Sequence, residues 1–110
     1  MTDLEQVQIQ IETAEKIRKL RDNCVKLMDN IYFKDVIEEA YFKEEAARLV
    51  MAKSAPLPEA SLQVIDHMQY GIGALKNFLQ ELIRRGAEMD QAIGEHEETR
   101  EEILAEEISV

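Results

Sequence analysis

The sequence predicts an all-α fold of long amphipathic helices, arranged as helical hairpins or a bundle and completed by oligomerisation. Three observations predict it. Apolar residues recur at every third or fourth position through most of the chain. Only four glycines and two prolines interrupt the 110 residues, and no β-branched run of strand length occurs. Aromatics make up 5% with no Trp, so aliphatic side chains and Met must fill the core, which suits helix packing better than stacked sheets. A chain that is 45% hydrophobic and 33% charged can bury a core, and its length suffices for one domain.

The first helix is expected over residues 3–29. Thr2-Asp3-Leu4-Glu5 has the form of a capping box, in which a hydroxyl accepts from an early amide. Behind it, Leu4, Val7, Ile11, Ala14, Ile17, Leu20, Cys24, Leu27 and Ile31 form a near-heptad seam whose phase resets at Ala14–Ile17. Such a helix is roughly 40 Å long at 1.5 Å per residue, so companion helices of similar length are needed to cover it.

Asp29-Asn30 offers a turn or a new N-cap, and a second helix is expected over 33–53. At α-helical spacing Phe33, Val36, Ile37, Ala40, Tyr41, Ala47, Val50 and Met51 share one broad face. Pro56 and Pro58 end it, since each lacks an amide donor and restricts the residue before it. A third helix over 59–85 carries Leu62, Ile65, Met68, Ile72, Leu75, Leu79 and Leu82 as another seam. Gly71 and Gly73 lie inside it at a cost of about 1 kcal/mol each relative to Ala, and no strand precedes them as a phosphate loop requires. They predict a close helix–helix approach. Gly86, after Arg84-Arg85, is the expected stop or bend. A fourth helix or a continuation starts at 87, so residues 1–94 form a helical domain and 95–110 an acidic C-terminal helix or tail.

The residues expected at helix interfaces are Leu4, Val7, Ile11, Ile17, Leu20 and Leu27 in the first helix. Phe33, Ile37 and Tyr41 join them from the second, and Ile65, Ile72, Leu75, Leu79 and Leu82 from the third.

Charge is unevenly spread. Residues 88–110 hold nine acids against Arg100 alone, while the first 87 are nearly balanced within a total of −10. The acidic end, with Glu95, Glu97, Glu98, Glu101, Glu102, Glu106 and Glu107, would repel phosphates, so no direct nucleic-acid binding is expected. It reads as a solvated helix, or alternatively as a phosphate-backbone mimic that inhibits a host nucleic-acid-binding protein. The basic stretch Lys16-Ile17-Arg18-Lys19-Leu20-Arg21 is interleaved with Glu12, Glu15 and Asp22 and lacks aromatics for base stacking. It reads as a solvated face, or as a docking site for the acidic end, in cis or from a neighbour.

No catalytic, cofactor-binding or metal-binding residue is expected. Neither His67 nor His96 has Glu three positions before it, the spacing that puts two ligands on one helix face. A metal-binding bundle around His67, Glu44, Glu45 or His96 remains a minor alternative. Cys24 sits in the seam as a small hydrophobe, and a single cysteine cannot form an internal disulfide. Apolar runs are far too short to span a membrane, and the N-terminus lacks a signal-peptide pattern.

The stretch Tyr41-Phe42-Lys43-Glu44-Glu45-Ala46-Ala47-Arg48-Leu49-Val50 comes after Phe33-Lys34-x-x-Ile37 and precedes Pro56. Together with Gly71-Ile72-Gly73-Ala74-Leu75-Lys76-Asn77-Phe78 and the acidic end, it resembles a family of small acidic α-helical proteins of tailed bacteriophages. The resemblance covers most of residues 30–107. It implies a non-enzymatic virion structural or assembly component, in the particle or the cytoplasm of an infected bacterium. Its expected partners are further copies of itself and other phage or host proteins.

Overall fold

The computed structural model describes residues 2–109, and every regular element among them is helical. In order these are α1 (Asp3–Asp29), α2 (Ile31–Phe33), a π-helix π1 (Lys34–Glu45), α3 (Ala46–Ala52) and α4 (Glu59–Ser109). Two compact units result. One comprises residues 1–24 and 82–110, the other residues 25–81.

Local chemistry sets the boundaries. The Glu5 amide donates to Thr2 Oγ1 at 3.1 Å and the Gln6 amide to the Thr2 carbonyl at 3.0 Å, which opens α1. Asn30 closes α1 and caps α2, with Oδ1 accepting from the Tyr32 amide at 2.8 Å and the Phe33 amide at 3.3 Å. Pro56 and Pro58 lie in the irregular link, and the Pro58 carbonyl accepts from the Ser61 and Leu62 amides to start α4.

In the first unit α1 and α4 run antiparallel. Arg21 bonds Asp90, and Gln8 accepts from Arg100 Nη1 at 3.3 Å, so partner numbers on α4 rise as those on α1 fall. Val7, Ile11 and Ala14 are buried on α1, with Leu82 and Ile93 buried on α4. Leu4, Ile17, Met89 and Ile103 are half-buried.

Gly86 does not stop α4, which continues to Ser109. It is buried, and a Cβ there would lie within the van der Waals envelope of Arg21 Cβ and Cγ and 3.0 Å from its Cδ. The glycine is therefore a notch for the Arg21 stem. The close approach predicted at Gly71 and Gly73 falls here instead. Gly73 has open space around its Cβ position, and Gly71 meets only the Tyr41 hydroxyl at an ordinary 3.7 Å. The expected boundary at 94/95 likewise coincides with no break in the helix.

Within the chain the inward line of α1 departs from the apolar seam. Leu20 and Leu27 are each 50% exposed, whereas Arg21 and Met28 are half-buried and Cys24 is buried. The packed line beyond Ile17 thus keeps Cys24 but takes Arg21 and Met28 in place of their neighbours Leu20 and Leu27.

The second unit packs Leu49, Ile65 and Ile72 together, with Tyr41, Phe42, Ala46, Ala52 and Leu57 around them. Here the winding matters. In π1 each amide bonds five residues back, giving more than four residues per turn. The half-buried Phe33, Ile37, Tyr41, Phe42 and Ala46 follow this wider period and lead into buried Leu49. Val36, Ala40, Ala47, Val50 and Met51, placed on that face by α-helical spacing, are exposed. Lys53 and Asp66 form an ion pair between the end of this segment and α4.

Gly86→Ala is expected to destabilise the protein by about 1–3 kcal/mol through overpacking. An open helix position would instead gain about 1 kcal/mol from alanine. Combined with Arg21→Ala, the same substitution should become neutral or stabilising. Urea denaturation of the four proteins in this double-mutant cycle measures the coupling, and equal effects in both backgrounds would refute the notch.

Candidate functional site

The surface of the second unit carries most of the exposed large apolar side chains. On α4 the buried residues Ile65, Ile72 and Leu79 recur every seven positions and mark the inward side. One position ahead of each lie Val64, Gly71 and Phe78, rotated by about 100° at 3.6 residues per turn. Met68 and Leu75 fill the intervals, so the apolar stripe steps by four, three, four and three residues. Val64 is 57% and Phe78 58% exposed, Met68 is exposed, and Leu75 is half-buried. The Tyr41 hydroxyl borders the stripe at Gly71. Among the described residues Val64, Met68 and Phe78 of this stripe are exposed, and Gly71 and Leu75 are half-buried.

The sequence-predicted interface residues divide accordingly. Val7, Ile11, Ile65, Ile72, Leu79 and Leu82 are buried. Leu4, Ile17, Phe33, Ile37, Tyr41 and Leu75 are half-buried, and Leu20 and Leu27 face outward. Val64 and Phe78 lie outside the predicted set, although their four-and-three spacing with Met68, Gly71 and Leu75 is readable beside the main seam.

The same unit has an open cleft lined by Met28, Phe42 and Leu79 with Glu38, Lys43 and Lys76. Of the charged groups that line it, Lys43 is engaged in an ion pair. Lys43 Nζ donates to Glu39 Oε1 at 2.7 Å, and that bond, reinforced by the charges of Glu39 and Glu38, raises the ammonium pKa. Nearby, the Arg48 guanidinium bonds both Glu45 oxygens and holds that carboxyl below its usual range.

In the first unit, Arg21 Nη1 and Nη2 bond the two Asp90 oxygens at 2.9 and 3.1 Å, and Nε bonds Asp22 at 2.7 Å. Arg18 stands 3.9 Å from Asp90. The hydrogen bonds from Arg21 lower the Asp90 pKa; desolvation opposes them, and the charges of Arg21 and then Arg18 add to the lowering. Cys24 is buried, which pushes its thiol pKa up and disfavours the reactive thiolate.

Glu95, Glu98, Glu101, Glu102, Glu106 and Glu107 of the acidic end are exposed, and Glu97 is half-buried. His67 and Glu44 are exposed, and His96 is half-buried. Among the described residues no three His, Cys, Asp or Glu side chains converge as a metal site, and no helix is long and apolar enough to cross a membrane.

Because the Asp90 pKa is lower folded than unfolded, its pairing stabilises above the ordinary carboxylate range near pH 4. That contribution disappears as pH falls through the depressed folded value. The melting temperature of Asp90→Asn should therefore lie below wild type at neutral pH, the gap narrowing on acidification; a gap independent of pH would refute this. Comparison with known protein families, with curated proteins and with solved structures yields no match for the chain.

Proposed function

We propose that the chain is a non-enzymatic helical protein that oligomerises through apolar helix faces, and that it serves as a structural or assembly component of a tailed-phage particle. The observation that carries the oligomerisation is the aligned stripe Val64–Met68–Leu75–Phe78. Single exposed apolar residues are ordinary on protein surfaces, but a contiguous line at helical spacing is a partner-binding feature. Fifteen large hydrophobic side chains are exposed against ten buried hydrophobic residues among those described, so the fold leaves much for association to cover.

Magnitudes support association while limiting what one stripe achieves. Each large apolar side chain contributes about 1.5–3 kcal/mol on full burial. Association costs roughly 4–15 kcal/mol in lost freedom. A single four-residue stripe per copy is near balance, so a stable assembly draws on further contacts.

The non-enzymatic reading is supported by Lys43 at the cleft and by Arg21 and Asp90 in the first unit, which are occupied in ion pairs, and by the buried thiol. The particle setting rests on the resemblance carried by residues 41–50 and 71–78 with the acidic end, as do the proposed phage or host partners and the location in a virion or an infected cell.

Native mass spectrometry and sedimentation velocity at micromolar concentration should show a dimer or larger species. Val64→Asp combined with Phe78→Asp should shift it toward monomer without loss of helical circular dichroism. A wild-type monomer across that range overturns the reading. Detection of the chain in purified phage particles tests the structural role separately.

A further inference from the structure

We propose that the acidic end of α4 docks on the outward face of α1 around Leu20 in a second copy of this chain. The inference rests on the oligomerising function proposed above and names one of its contacts.

The receiving face is basic and apolar at its centre. From Lys16 to Arg21, α1 holds four bases and no acid, with exposed Glu12, Glu15 and Asp22 at its borders. Arg18 and Arg21 are turned to Asp90 of their own chain. Lys16 and Lys19 are exposed and make no ion pair among the described residues, and Leu20 beside them is 50% exposed. A leucine flanked by two unengaged ammonium groups suits an acidic amphipathic helix.

The end of α4 has the complementary pattern. Leu104 and Ile108 lie four residues apart on one side and are exposed, Ile108 at 85%. Glu101 stands seven positions before Ile108 on that same side, and exposed Glu98 flanks it. The one base of this segment, Arg100, is directed to Gln8 in its own unit.

The contact cannot form within one chain. The antiparallel register sets residue 100 beside residue 8 and residue 90 beside residue 21, so residues 101–108 lie beyond Gln8, toward the start of α1 and away from Leu20. A second copy is therefore the donor. Because each copy carries both faces, the contact can be made twice across a two-fold axis. It repeats between chains the pairing that Asp90 makes with Arg18 and Arg21 inside one.

The test compares self-association of the full chain with Lys16→Glu/Lys19→Glu, Glu98→Lys/Glu101→Lys and an equimolar mixture of the two, by sedimentation velocity. Each reversal alone should weaken association about tenfold, equivalent to the loss of a few exposed ion pairs. The mixture should recover it, and the wild-type contact should weaken at high salt. All four substituted positions are exposed, and circular dichroism verifies that helix is retained. If the wild type associates but the reversals leave it unchanged, or the mixture fails to recover, this contact is refuted while the oligomeric reading stands. A monomeric wild type overturns both.

Discussion

The seating of the Arg21 stem in the Gly86 notch is the constraint that holds the first unit in register. A helix seam normally takes a leucine at such a position, and Leu20 is one residue away. Only glycine lets the arginine's methylenes approach the α4 backbone this closely, and Asp90, one turn further on, receives the guanidinium in two parallel hydrogen bonds. The aliphatic part of the side chain packs while the charged head meets a carboxylate near solvent. The arrangement determines both the rotation of α1 and its longitudinal register against α4, which an all-aliphatic seam would leave open to slippage by a heptad.

The rotation has consequences on the outer side of the helix. With Arg21 and Cys24 turned inward, Leu20 turns out beside Lys16 and Lys19. In the first unit Asp90 of α4 is taken up by the basic stretch in cis, whereas Glu98, Glu101, Glu102, Glu106 and Glu107 remain exposed. That end is not a separate appendage. Ile93 is buried, Ile103 is half-buried and Arg100 reaches Gln8, so the charged segment is part of a packed helix pair. Acidic solvation and apolar packing coexist there because they occupy different sides of one helix.

The second unit obtains its core by a different device. The wider winding of π1 brings Phe33, Ile37, Tyr41, Phe42 and Ala46 into line, where an α-helix would spread them over half its circumference. Two adjacent aromatics, Tyr41 and Phe42, then pack against the Leu49–Ile65–Ile72 cluster, their rings 5.9 Å apart. The residues displaced from this face, Val36, Val50 and Met51, become surface. Together with the α4 stripe they make this unit the more apolar exterior.

The all-α class, the limits of α1, the break at Pro56–Pro58 and the buried heptad positions of α4 are written in the chain itself. These depend on interactions within a few residues: the Thr2 cap, the Asn30 cap, the missing proline amides and the periodic apolar residues. Which of two adjacent phases of α1 is buried was settled only by packing, since Leu20 and Arg21 both satisfy a three-and-four spacing and Gly86 alone distinguishes them. Packing also assigned the meaning of Gly86, which in an isolated helix is a weak point and against Arg21 is a fitting. The π winding was hidden for the same reason: hydrogen bonds five residues apart leave no mark in composition, and their effect emerges only when the aromatic face meets the leucine and isoleucines it covers.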